Sequence, residues 1–102
     1  MSTVTVDRVF IALADSTRRH LLEQLAHSGP TSASAFAKRI PISRQAIAKH
    51  LLIIEEAGLI KRVRRGKEVC FAVQPQQLAA TGRWMQRLAA KWEPPGATDF
   101  TA

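Results

Sequence analysis

The chain has 102 residues, enough for one domain and one modest hydrophobic core. Its 46% hydrophobic content argues against a wholly disordered chain, and no apolar run approaches the roughly 20 residues of a membrane span. Fifteen Lys and Arg against eight Asp and Glu give a formal net charge of +7, which points to a polyanionic partner.

In chain order, Val6, Val9, Phe10 and Leu13 recur at helical spacing and predict a short first helix. Asp15 or Ser16 caps a second helix that turns Leu21, Leu22 and Leu25 inward, and Ser28-Gly29-Pro30 ends it. Thr31-Ser32 can cap a third, short helix over about Ala33 to Arg39, with Phe36 and Ile40 as its apolar contacts. Pro41 disfavours helical geometry at Ile40 and so separates the third helix from the fourth. Ser43 caps the fourth helix, and Ile42 before it can pack on Ile47, a staple that fixes the entry angle. Ile47, Leu51 and Ile54 form the buried stripe, and Gly58 stops the helix as a left-handed residue.

Leu59 to Arg65 and Glu68 to Val73 then read as a hairpin, with Val69, Phe71 and Val73 facing inward. Gln74-Pro75 breaks the strand, a last helix spans Gln76 to Trp92, and the remaining EPPGATDFTA reads as a frayed tail. The expected fold is mainly α with a small β-hairpin (α+β), a winged helix-turn-helix in the order α-α-α-α-β-β-α. Residues 1–92 would form the DNA-binding and dimerisation domain, and residues 93–102 a flexible C-terminal tail.

Charge is concentrated where such a fold would meet nucleic acid. From Lys38 to Glu68 there are nine basic and three acidic residues, so this segment holds +6 of the net +7. The fourth helix would present Ser43, Arg44, Gln45, Ala48 and Lys49. Arg suits guanine O6 and N7, Gln suits adenine, a methyl meets a thymine methyl, and a helix N-terminus suits a phosphate. His50 follows, either bonding a phosphate or sitting half-buried against the third helix. The wing would consist of Arg62, Arg64, Arg65 and Lys67 around Gly66, whose freedom of φ serves a tight turn. A lesser role for these cations is protection of an edge strand.

Leu78, Thr81, Met85, Leu88 and Trp92 share one stripe of the last helix, with Trp84 at its edge. One small subunit has little core to cover both tryptophans, so the first and last helices are expected to pair across a two-fold axis. The expected contact comprises Val6, Val9, Phe10, Leu13, Leu78, Gly82, Met85, Leu88 and Trp92. Gly82 would permit close helix approach at a cost of about 1 kcal/mol relative to Ala.

The single Cys70 allows no intrachain disulfide and reads as a half-buried structural thiol in a reducing, cytoplasmic setting. The N-terminus carries no secretion-signal pattern. His20 and His27 read as surface residues rather than metal ligands. No Gly-rich phosphate loop, paired carboxylates or Cys/His nucleophile stands out, so no enzyme and no cofactor are expected.

Three segments carry a family resemblance: LADSTRRHLLEQLA, SASAFAKRIPISRQAIAKHLLIIEEAGLI and RRGKEVCFAV. From Val6 to Trp92 the chain resembles the ArsR-type winged-helix repressors of bacteria. The most specific part is Ser43-x-x-Ala46-Ile47-x-Lys49-His50-Leu51 followed by Glu56-Ala57-Gly58-Leu59-Ile60. The resemblance implies a homodimer that binds an inverted repeat in duplex DNA and represses transcription, its own gene being one candidate target. It assigns DNA contacts to Ser43, Arg44, Gln45, Ala48, Lys49 and the wing. Metal-sensing members carry a Cys-x-Cys pair in the third helix, or Asp and His ligands in the last. Here those regions read Ala33-Ser34-Ala35-Phe36-Ala37 and Gln76 to Trp92, without such ligands. The resemblance therefore implies a branch with no metal site. Two alternatives stay open: a metal- or redox-responsive repressor of the same fold, and a winged-helix module that binds protein or RNA.

Overall fold

A computed structural model describes residues 3–92; the expected tail, residues 93–102, lies outside them. Five helices and three strands follow one another as α1 (Thr3–Leu13), α2 (Ser16–Ser28), β1 (Thr31–Ser32), α3 (Ala33–Ala37), α4 (Arg44–Glu56), β2 (Ile60–Arg65), β3 (Glu68–Val73) and α5 (Pro75–Lys91). This is a winged helix-turn-helix, with one addition to the expected order. Thr31 and Ser32 form a short strand that pairs antiparallel with β3, Thr31 opposite Phe71 and Ser32 opposite Cys70. The sheet thus runs β1-β3-β2, and β3 is its central strand. Two residues are too few to show a strand period in sequence, and their pairing depends on an edge forty positions away. The helices also end slightly differently: α3 stops at Ala37, and α5 starts at Pro75 and is closed by Trp92.

Local chemistry accounts for the ends. Asp15 caps α2, its carboxylate accepting the Arg18 amide at 3.0 Å, and Ser32 caps α3 by accepting from Ala35 at 3.1 Å. At the end of α4, Gly58 adopts φ 76° and its N–H donates to the Glu55 carbonyl, while the Leu59 N–H reaches back to Ile54. That pair of reversed bonds satisfies carbonyls the helix would otherwise leave open, and it needs a left-handed residue that glycine adopts without strain. The chain then turns directly into β2.

The Asp15 cap makes stability depend on pH. The bond from the Arg18 amide, the foremost influence, holds the carboxyl below its ordinary value of 3.8. A carboxyl whose folded value is depressed adds stability above its unfolded value, and that contribution is lost as pH falls through the folded one. Asparagine caps as well as aspartate without titrating. Between about pH 6 and about pH 2, thermal midpoints of the wild type should therefore fall further than those of Asp15→Asn. Parallel curves would show that the cap carries no such linkage.

The core lies where α1, α2, α3 and α4 meet the sheet. It holds Val9, Ala12, Leu21, Leu25, Phe36, Ile47, Leu51, Ile54, Leu59, Ile60 and Phe71, with Ile42 and Val73 packed at its margin. Two expectations change here. Val69 is 41% exposed rather than inward, because β3 outruns the core towards the wing and only Phe71 and Val73 of its inner face reach the helices. Cys70 is buried, not half-buried, being enclosed in the central strand with partners on both sides. Among the described residues, no helix is long and apolar enough to cross a membrane.

Candidate DNA-binding face

Ser43 sets the start of α4: its Oγ accepts the Ala46 amide at 3.1 Å, with the Ser43 backbone still extended. From that start, 100° of turn per residue sends Ile47, Leu51 and Ile54 into the core and leaves Arg44, Gln45, Ala48 and Lys49 exposed on the outer arc. Leu52 shares that arc and is 44% exposed, a position that sequence reasoning missed because it sits beside the buried Leu51 in an apolar run. A count of helical phase from the cap would have found it.

His50 points elsewhere. It is half-buried, and its Nδ1 lies 3.3 Å from Arg18 Nη1 of α2, a partner that neither expected alternative named.

The wing is a two-residue hairpin. Arg65 faces Glu68 across the ladder, and Gly66 turns the chain at φ 61°, the left-handed geometry a tight reversal of this hand requires at its first central position. Strand alternation puts Arg62 and Arg64 on the face shared with Phe71 and Val69, and Lys61 and Arg65 on the other. Arg62 differs from the tip cations. Its guanidinium grips the Glu55 carboxylate in a fork of 2.9 and 3.1 Å and lies 5.4 Å over the Phe71 ring. The Glu55 bonds also push its pKa further up, so it stays charged. Arg62 therefore braces the base of the wing against the end of α4, and a phosphate would have to compete with Glu55 for it. Among the described residues, the ion pairs are this one and Arg18–Asp15; neither engages Arg44, Lys49, Arg64, Arg65 or Lys67.

Helix and wing face the same way. Arg44 and Ala48 from α4, Arg62, Lys67, Glu68, Val69 and Phe71 from the hairpin, and Ser32, Ala33 and Ser34 from the cap and first turn of α3 line one open cleft of about 380 Å³. The serines were not anticipated, since nothing in sequence places the start of α3 opposite the wing. The cleft joins a groove-sized helix to a cationic loop on one side of the molecule, the geometry with which such proteins straddle a groove edge.

A helix-turn-helix domain family matches residues 13–63, which contain α2, α3, α4 and the start of the wing. The chain is 39% identical over 74 residues to the HTH-type transcriptional regulator Rv2034 of Mycobacterium tuberculosis, covering 72% of this chain and 68% of that one. Its backbone follows an ArsR-like transcriptional regulator from Rhodococcus sp. RHA1 with a TM-score of 0.79 at 39% identity, over 87% of this chain and 83% of that one. The chain belongs to the ArsR family. It is a DNA-binding transcriptional regulator of the winged helix-turn-helix type. A further relative, the transcriptional repressor SdpR of Bacillus subtilis, is 31% identical over 80 residues, 78% of this chain and 88% of that protein.

His20 and His27 are both exposed, and among the described residues no group of three or more His, Cys, Asp or Glu side chains is placed to hold a metal ion. Of the expected subunit contacts, Val9 is fully buried in its own core, because its side of α1 faces the other helices of the same chain. Leu13 also packs at the core margin and Val6 is half-buried. Phe10, Leu78, Met85, Leu88 and Trp92 do lie exposed, and Gly82 has open space where a Cβ would stand. Ile11, 58% exposed, was not foreseen; it falls outside the apolar stripe on which Val6, Val9, Phe10 and Leu13 were grouped.

Proposed function

We propose that this ArsR-family regulator is a cytoplasmic homodimer that binds an inverted repeat in duplex DNA with sequence preference and represses transcription by occluding the promoter. The carrying observation is the shared cleft, in which Arg44 and Ala48 of α4 look towards Lys67 of the wing. Ser43, Arg44, Gln45, Ala48 and Lys49 are assigned to the major groove and its edge, with Leu52 adding an apolar contact beside Ala48. Arg64, Arg65, Gly66 and Lys67 are assigned to the flanking backbone, Arg62 to bracing the wing. SdpR, a repressor, supports the sign of regulation.

Dimerisation is inferred from the surface of α5. Among the described residues this helix buries only Thr81, while Leu78, Trp84, Met85, Leu88 and Trp92 are exposed along it. Phe10 of α1 meets Trp84 with ring centroids 5.9 Å apart, so the stripe continues onto α1 at Phe10. Monomeric soluble proteins rarely leave contiguous apolar patches beyond a few hundred Å² uncovered. A two-fold contact here would set two copies of α4 roughly 34 Å apart, one turn of DNA. Leu88→Asp should yield monomers in sedimentation and lose most affinity for a two-half-site duplex. A dimer that survives this change would move the contact elsewhere.

Binding to duplex DNA over a salt series tests the whole reading. With about eight phosphates neutralised per dimer, log affinity should fall with log salt at a slope near −7. A flat response, with no sequence preferred from a random pool, would favour the protein- or RNA-binding alternative.

A further inference from the structure

Arg18, in the first turn of α2, has a side chain only 13% exposed and makes contacts that the DNA-binding reading does not use. The last turn of α1 contains no basic residue, and its final carbonyls are taken instead by the start of α2. Arg18 Nε donates to Ala12 O and Nη2 to Ile11 O, both at 2.9 Å, while Arg19 Nη1 donates to Leu13 O at 2.7 Å. The remaining arm of Arg18, Nη1, lies 3.3 Å from His50 Nδ1 in α4 and 3.9 Å from the Asp15 carboxylate. A guanidinium carries donors only, so in a hydrogen bond between the two Arg18 donates and His50 Nδ1 accepts. One planar group therefore joins the end of α1, the start of α2 and the recognition helix.

We propose that Arg18 is a positioning residue that holds the recognition helix in a fixed pose against α1, through His50. The inference rests on the homodimeric DNA-binding reading above. Ile11, whose carbonyl Arg18 holds, directly follows Phe10, which belongs to the exposed apolar surface assigned to the subunit contact. Through this one fork, the pose of each α4 follows the contact that sets the spacing between the two copies. Base contacts depend on that spacing, whereas phosphate contacts tolerate small shifts. The loss on breaking the fork should thus fall on selectivity. Lysine preserves the charge but not the rigid fork that meets three acceptors together.

The test begins with the wild type, selecting a preferred duplex from a random pool. Affinities for that duplex and a scrambled one are then measured for Arg18→Lys, His50→Leu, His50→Gln and the double variant Arg18→Lys/His50→Leu. Each of Arg18→Lys and His50→Leu should weaken the selected duplex about tenfold and the scrambled one less than about twofold. The double variant should be little worse than either single one, and His50→Gln, which retains an acceptor for Arg18, should keep most of the selectivity. Losses that multiply in the double variant, or that are equal on both duplexes, overturn the proposal; they would make His50 an independent phosphate contact or Arg18 a purely structural residue. If Arg18→Lys does not fold, His50→Leu against His50→Gln decides, and equal selectivity of the two overturns it. A wild type that selects no sequence sinks the DNA-recognition reading itself, a result visible before any variant is made.

Discussion

Arg44→Ala should weaken binding to the preferred duplex by about 1–3 kcal/mol per half-site, or about 2–6 kcal/mol for a dimer engaging both. The magnitude follows from where Arg44 stands. It is the first residue of α4, exposed, unshared with any carboxylate among the described ion pairs, and it lines the same open cleft as Lys67. A guanidinium there can reach two acceptors on one guanine edge, and alanine reaches neither. The accompanying signature is relaxed preference at one base position in each half-site, read by repeating the selection from a random pool. Lys67→Ala supplies the contrast. An ammonium at a loop tip behaves as a point charge near phosphates, so its removal should weaken all duplexes alike and reduce the salt slope by about one. Equal losses on preferred and random DNA for Arg44→Ala would remove it from the groove.

Leu51→Ala should destabilise the fold by about 2–5 kcal/mol. Leu51 is fully buried in the stripe by which α4 is seated, between Ile47 one turn before it and Ile54 one turn after. Truncation removes the transfer energy of the side chain and leaves a cavity that α2, α3 and the sheet cannot fully close. Domains of this kind have about 5–15 kcal/mol in total, so much of the margin would be gone. Urea unfolding should show a lower midpoint at unchanged slope. Leu52→Ala, one residue on but facing outward, should change stability by less than about 0.5 kcal/mol. The pair separates stability from recognition on a single helix: if Leu52 meets the groove, its truncation lowers affinity while the fold holds. A loss below about 1 kcal/mol at Leu51 would mean that α4 is loosely seated, which would undermine its use as a rigid reader of DNA.

The caps and stops of α2 and α4 were legible from the residues alone, since Asp15, Ser43 and Gly58 act through bonds to neighbours three or four positions away. The Gly66 reversal and the inner stripe Ile47, Leu51 and Ile54 were legible for the same reason: turn geometry and helical period are properties of short segments. Exposure of Arg44, Gln45, Ala48 and Lys49 followed from that stripe without further information.

Contacts between distant segments were not. Strand β1 exists because β3 offers it an edge; Val69 is exposed because the wing extends past the helices; Val9 is hidden by helices later in the chain. The grip of Glu55 on Arg62 depends on how α4 packs against β2, and His50 could not be directed to Arg18 across a separation of 32 residues.

The residue order by itself determined which segments are helix or hairpin and which side of α4 is polar, because those outcomes are set by short-range sterics, hydrogen bonding and periodicity. Only the tertiary structure decided that α4 and the wing open onto one cleft, which cations remain available there, and how much of α5 is left uncovered. Each of these depends on the packing of elements far apart in the chain, and local patterning carries no record of that distance.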